Sequence, residues 1–220
     1  MIVLALVIVV VILMIAQYFK KPPRYYQLLD FPKMRDFHDA YADIKQECID
    51  VLGQPIHNIY RSSEVWNNSV NKKKAEDFLN KHQHIQGWMP AWAPGSSGAN
   101  YQWLNFPLVA VGHDFKNNLA LCPKLAGLIN KYKDSINICG FSLLKPGAIL
   151  KTHTDTTGLA YGTMAYHLGL IVPEKCNLIV DGIETLQKEG QSIIFDSTYP
   201  HSAKNDSAED RVILYIDFKI

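Results

Sequence analysis

Residues 164–195, MAYHLGLIVPEKCNLIVDGIETLQKEGQSIIF, decide how the chain folds. Four runs, Met164 to Val172, Asn177 to Val180, Ile183 to Leu186 and Ser192 to Phe195, are rich in apolar and β-branched residues and too short for helices. Between the second and third stands Asp181-Gly182, a pair that accepts the positive φ angles of a two-residue hairpin turn. Working outward, Ile138 to Lys145 and Ile149 to Thr154 on one side and Arg211 to Phe218 on the other have the same texture. Closely spaced strands with little helix between them predict an antiparallel barrel or a double-sheet jelly roll of the cupin kind. The expected fold class is mainly β, with helices in front of the sheet region.

Those helices show a different period. From Met34 to Leu52, apolar residues recur at Met34, Phe37, Tyr41, Ile44, Cys48 and Val51, the spacing of one amphipathic helix. Leu119 to Tyr132 repeats the pattern, with Pro123 near its first turn. Lys72 to Lys81 is a charged helix expected to face solvent, and residues 58–70 show no clear period. The stretch from Gln86 to Asn105, punctuated by glycine and proline and carrying Trp88, Trp92 and Trp103, is expected to be an ordered loop. Its tryptophans suit either a wall over a pocket or a plug at the edge of the core.

The first sixteen residues, MIVLALVIVVVILMIA, contain no polar side chain, and Gln17, Tyr18 and Phe19 precede Lys20 and Lys21. Nineteen helical residues span about 28 Å, close to the hydrocarbon thickness of a bilayer. No basic residue precedes the run and no small-x-small cleavage site follows it, so the expectation is an uncleaved transmembrane anchor at residues 1–19. Lys20, Lys21 and Arg24 all lie on its C-terminal side, which points to a single-pass protein with a cytosolic domain. Residues 20–33 then make a juxtamembrane stalk, stiffened by Pro22-Pro23, and residues 34–220 one domain of ordinary size.

Charge and cysteine content narrow the function. With 22 Lys+Arg against 21 Asp+Glu and no basic cluster interleaved with aromatics, nucleic acid is not an expected partner. Cys48, Cys122, Cys139 and Cys176 are widely spaced without a C-x-x-C pair, which argues against a zinc or redox motif and for buried thiols.

The candidate chemistry lies in KTHTDTTG, residues 151–158. His153 and Asp155 stand two apart, so in an extended segment their side chains share a face. A third metal ligand could come from His201, in STYPHSAKND after the strand SIIF. Two imidazoles and a carboxylate leave open positions on a metal for co-substrate and O₂, although zinc hydrolases use the same ligand types and H-x-D alone is equally consistent with a structural histidine. Arg211, opening RVILYIDF, shares a face with Ile213, Tyr215 and Asp217. Inside a barrel it would need an acid partner, and its planar fork matches a small dicarboxylate; at the surface it would be an ordinary salt bridge. His167 alternates with Ala165, Gly169 and Ile171, and Ser142 with Gly140, so both would line one hollow; taken alone, His167 also fits a hydrogen-bonded core residue.

From about Tyr101 onward the chain resembles the aspartyl/asparaginyl β-hydroxylases. The matching motifs are CPK at 122–124, S-x-x-x-P-G at 142–147, H-T at 153, HLGLIVP at 167–173, E-G-x-S-x-x-F-D at 189–196, His201 and Arg211. The resemblance implies a double-stranded β-helix that binds Fe(II) through His153 and His201, with 2-oxoglutarate held by Arg211, Ser142 and His167 and consumed with O₂. Asp155 stands where animal protein hydroxylases have glycine, and completes the ligand triad. Ala165 stands where they carry an arginine for the substrate's acidic side chain. The implied reaction is hydroxylation of an unactivated C–H at the β-carbon of Asp or Asn in a protein, with the acyl chain of a membrane lipid as the alternative substrate. A cupin-like module that binds without turnover is the non-enzymatic alternative.

Overall fold

A computed structural model describes residues 22–59, 72–91, 100–155 and 162–220. The anchor expected at residues 1–19 and Trp92 lie outside them; among the described residues no helix is long and apolar enough to cross a membrane. The strands are β1 (Tyr25–Tyr26), β2 (Met89–Ala91), β3 (Asn100–Ala110), β4 (His113–Asp114), β5 (Ile136–Leu144), β6 (Ile149–His153), β7 (Thr163–Ile171), β8 (Cys176–Val180), β9 (Ile183–Leu186), β10 (Ser192–Phe195), β11 (His201–Asn205) and β12 (Arg211–Lys219). They form two sheets, one ordered β1-β10-β7-β12-β5-β3-β2 with β4 beside β3, the other β6-β11-β8-β9. All recorded strand pairings are antiparallel. The chain is mainly β, in the jelly-roll arrangement that the alternating sequence predicts. Asp181 and Gly182, with φ of 48° and 79°, make the tight turn between β8 and β9.

Alternation decides which side of the large sheet meets which layer. Besides α3 (Lys72–His82) and α4 (Lys116–Leu121), the chain forms α1 (Pro32–Asp39), α2 (Tyr41–Val51) and α5 (Pro123–Lys131), and toward these three turn Tyr166, Leu168 and Leu170 on β7 and Val212, Leu214 and Ile216 on β12. Met34, Phe37, Ile44, Cys48 and Leu125 meet them, and Phe106 stacks on Phe141 at 6.0 Å. Each such fully buried side chain contributes about 1.5–3 kcal/mol of hydrophobic stabilisation. The opposite residues, Ala165 on β7 with Ile193 and Phe195 on β10, pack on Leu178 and Val180 of the small sheet. Residues of both sheets line one cavity.

Both long helices expected from periodicity are broken. Met34 to Leu52 divides at Ala40, whose φ of −86° and ψ of 12° depart from the helix, so Met34 and Phe37 sit on one short helix and Ile44 and Cys48 on the next. Leu119 to Tyr132 divides at Cys122 (φ −127°, ψ 63°), separating α4 (Lys116–Leu121) from α5. Pro123 therefore begins a helix of its own, where its missing N–H costs nothing. Buried Glu47 accepts the next two amides, from Lys124 at 2.6 Å and Leu125 at 3.0 Å, and caps α5 from a neighbouring helix.

Two further expectations are corrected. The stretch 20–33 is not a free stalk from Arg24 onward: Tyr25 and Tyr26 pair with Phe195 and Ile194 as an edge strand, and Phe31 packs edge-on against Phe218 at 5.3 Å. The segment from Gln86 to Asn105 is not all loop, since it supplies β2 and the first half of β3. Trp88 is the core plug, its indole donating to Val51 O at 2.9 Å, whereas Trp103 lines the cavity. All four cysteines are free and buried, as expected, and burial pushes the Cys122 thiol up to about 12. Replacing Phe106, fully enclosed by Trp88 and Phe141, with alanine is expected to cost about 3–5 kcal/mol in urea unfolding. A loss under about 1 kcal/mol would show that this core is not packed as described.

Candidate active site

The small sheet brings the two histidines together. β11 pairs with β6 so that His201 stands directly opposite His153, and their ring centroids are 4.3 Å apart. His153 closes β6. Asp155 lies beyond the strand end, and its backbone N–H donates to Ser197 O at 3.0 Å, tying it to the turn that leads into β11. The carboxylate oxygens are 3.6 Å from His153 Nε2 and 3.8 Å from His201 Nε2, and one ligand atom from each of the three residues falls within 4.8 Å of the others.

The hydrogen bonds around these rings settle which nitrogen can bind a metal. Nδ1 of His153 lies 2.9 Å from Lys151 O, and Nδ1 of His201 lies 3.0 Å from Tyr199 O. A carbonyl can only accept, so both Nδ1 atoms carry the proton and both Nε2 lone pairs face Asp155. Burial lowers the His201 pKa, with His153 adding to the effect and Asp155 and the Tyr199 carbonyl opposing it. Tyr215, on β12 across the cavity, donates to Asp155 Oδ2 at 3.2 Å and orients it. Two imidazole Nε2 atoms and a carboxyl group facing one another fit a divalent transition metal with coordination positions to spare.

The large sheet supplies a second group of residues. Ser142 on β5, Arg211 on β12 and His167 on β7 come from three neighbouring strands and line the same cavity of about 230 Å³ as His153, Asp155 and His201. All six residues singled out from the sequence therefore converge. Arg211 is 3% exposed and, among the described residues, has no carboxylate in ion-pair range. Burial pushes its pKa down to about 10, opposed by the neighbouring Cys176 thiol. His167 is held well below the usual imidazole range by burial, then by the charge of Arg211 and by His201. Trp103 Nε1, a pure donor, gives its hydrogen to Ser142 Oγ at 2.8 Å, which leaves the serine O–H free to donate into the cavity.

Two contributors were not singled out in the sequence. Tyr215 is on the face already noted for Arg211, so alternation could have found it. Trp103 takes the wall position that was one of the two expected for the tryptophans. Gln187, one residue after β9, bridges Arg211 and His167, and nothing in its neighbourhood marks it. Gly169 has a different reason from the expected hollow: a Cβ there would collide with the Lys188 carbonyl. Its amide donates to Gln191 O at 3.0 Å and its carbonyl accepts from Gly190 N at 2.9 Å, so the turn after Gln187 lies flat on β7.

Away from the candidate metal ligands and the Ser142, His167 and Arg211 group, Leu79, Met89, Val109, Phe115 and Ile138 form an apolar part of the wall, and Asn105 also lines the cavity. Among the described residues that line the cavity, Arg211 is the only lysine or arginine. Ala165 beside His167 is fully buried among Leu178, Val180 and Phe195.

The sequence model of the family described as aspartyl/asparaginyl beta-hydroxylase matches residues 38–220. An uncharacterised protein of Acanthamoeba polyphaga mimivirus is 29% identical over 206 residues, 89% of this chain and 70% of its own length. The ornithine lipid ester-linked acyl 2-hydroxylase of Rhizobium tropici is 34% identical over 120 residues, 53% of this chain and 41% of that protein. The human aspartate beta-hydroxylase domain-containing protein 2 is 31% identical over 140 residues, 60% of this chain and 36% of that protein. The chain thus spans less than half the length of the latter two. A Burkholderia pseudomallei oxidoreductase of the 2OG-Fe(II) oxygenase family aligns with a TM-score of 0.44 at 12% identity over 54% of this chain and 69% of its own.

For the metal geometry, His153→Ala is expected to weaken Mn(II) binding by ~100-fold or more in calorimetry, and Tyr215→Phe, which only releases Asp155, by about 10-fold. Unchanged Mn(II) affinity in His153→Ala would place the metal elsewhere.

Proposed function

Because this chain belongs to the aspartyl/asparaginyl β-hydroxylase family, we propose that it is an Fe(II)- and 2-oxoglutarate-dependent dioxygenase that hydroxylates an unactivated C–H bond. The observation that carries this proposal is the convergence in one cavity of a two-histidine, one-carboxylate triad with a buried guanidinium that has no acid partner among the described residues. Iron bound by His153, Asp155 and His201 would supply the O₂ activation that protein side chains cannot. The residues around it have definable tasks. Arg211, Ser142 and His167 would hold the distal carboxylate of 2-oxoglutarate, an ionic grip strengthened by the low dielectric around a buried cation. Tyr215 keeps Asp155 aimed at the metal. The apolar wall excludes water from the reacting C–H and fixes its position.

For the substrate, the family's name points to the β-carbon of Asp or Asn in a protein. The wall itself favours an acyl chain: with Arg211 engaged by the co-substrate, no second cation among the described lining residues remains for an aspartate side chain, while Leu79, Met89, Val109, Phe115 and Ile138 offer apolar contact. An anchor at residues 1–19 would hold such a site at a bilayer surface, where acyl substrates reside.

Purified protein supplied with Fe(II), 2-oxoglutarate and O₂ is expected to release succinate, and Arg211→Ala to raise the 2-oxoglutarate KM by ~30-fold or more. Mass spectrometry of lipid and peptide fractions from cells with and without the gene should show an added oxygen in acyl chains. Absence of Fe(II)-dependent succinate with both substrate classes, and uncoupled, would contradict the enzyme; an added oxygen confined to peptides would overturn the acyl assignment.

A further inference from the structure

Behind the cavity wall, Gln187 touches two of the residues expected to hold the co-substrate without lining the cavity itself. Its Oε1 accepts from Arg211 Nε at 2.9 Å and from Nη2 at 2.6 Å. Its Nε2 lies 3.3 Å from His167 Nδ1, and Gln187 is 4% exposed. The backbone fixes it there, since its amide donates to Cys176 O at 2.8 Å and the turn beyond it lies on Gly169.

Hydrogen-bond logic gives this amide a single orientation. Arginine has donors only, so the amide oxygen faces Arg211 and the amide NH₂ must face His167. His167 Nδ1 then accepts, and the ring proton is forced onto Nε2. Among the described residues neither His167 Nε2 nor Arg211 Nη1 has a hydrogen-bond partner, and both residues line the cavity. Gln187 thereby presents two donors inward at once. Its neutrality matters equally. A buried guanidinium needs hydrogen-bond acceptors, but a carboxylate in this position would cancel the charge that an incoming acid requires.

We propose that Gln187 is a positioning residue that makes this site selective for a co-substrate with a second carboxylate, by locking His167 as an Nε2–H donor and leaving the Arg211 charge uncancelled. The inference rests on the 2-oxoglutarate assignment above. It concerns the acid-binding end of the site, away from the metal ligands.

The test uses the zinc-loaded full chain and two probes, 2-oxoglutarate and 2-oxovalerate, which share the 2-oxo acid end and differ in the distal carboxylate. Gln187→Glu, nearly isosteric, is expected to weaken 2-oxoglutarate binding in calorimetry by ~30-fold or more while changing 2-oxovalerate binding by less than about threefold. Gln187→Met, which removes the amide but adds no charge, is expected to weaken 2-oxoglutarate by only about 3- to 10-fold. Long-range ¹⁵N NMR should find His167 as the Nε2–H tautomer in the wild type, and the single tautomer lost in Gln187→Met. Equal weakening of both acids in Gln187→Glu, unchanged 2-oxoglutarate binding in that variant, or an Nδ1–H His167 in the wild type would each overturn the proposal. The wild-type tautomer decides even if Gln187→Glu does not fold. Wild-type protein that shows the Nε2–H tautomer but binds no 2-oxoglutarate would instead refute the co-substrate assignment, and this selectivity with it.

Discussion

The antiparallel pairing of β6 with β11 places His201 across from His153 with their rings 4.3 Å apart, and the candidate metal site depends on that register. A slip of one residue would turn one imidazole to the other face of the small sheet and leave no pair. β11 is secured on its other flank by β8, and at its far end by fully buried Asn205. The Asn205 amide donates to Leu144 O at 2.9 Å and to Glu209 O at 2.8 Å, while its oxygen accepts from Ser207 Oγ at 2.6 Å. This one side chain therefore anchors the end of β11, the end of β5 and the turn that starts β12 with Arg211.

The two sheets divide the chemistry. The strands of the small sheet and the turn beside them bring the three metal-ligand candidates, and three adjacent central strands of the large sheet bring Ser142, His167 and Arg211, the candidates for binding an acid. Facing sheets of a jelly roll meet through side chains, so a hollow persists only where small or polar residues replace bulky ones. Here Ser142 and Ala203 line the cavity in that way, whereas Gly140 is small because a Cβ there would meet the Phe106 carbonyl. Burial does the electrostatic work, holding His167 well below its usual range and leaving Arg211 charged but without an acid partner among the described residues.

Strands whose two faces both meet apolar layers or the cavity were plain in the sequence. β5, β7, β10 and β12 follow from β-branched and aromatic alternation, and the Asp181-Gly182 turn gives the hairpin of β8 and β9. From that alternation came the inward direction of Ser142, His167 and Arg211. β11 was hidden because its buried positions are His201, Ala203 and Asn205, two of them polar, so its period of two does not register as hydrophobic. β3 was hidden by Pro107 and by the glycines and tryptophans before it. The helix breaks at Ala40 and Cys122 are set by tertiary packing, Glu47 capping α5 being one cause that no local period contains. Gln187 was invisible for a related reason, since its role exists only through partners 20 and 24 residues away in the chain.

The metal centre is the claim on which the function stands, and anomalous diffraction from crystals soaked with Mn(II) and N-oxalylglycine measures it directly. The account predicts one manganese peak bonded to His153 Nε2, His201 Nε2 and an Asp155 oxygen, with the inhibitor's far carboxylate on the Arg211 guanidinium. A peak elsewhere, or an inhibitor whose far carboxylate lies away from Arg211, would contradict it.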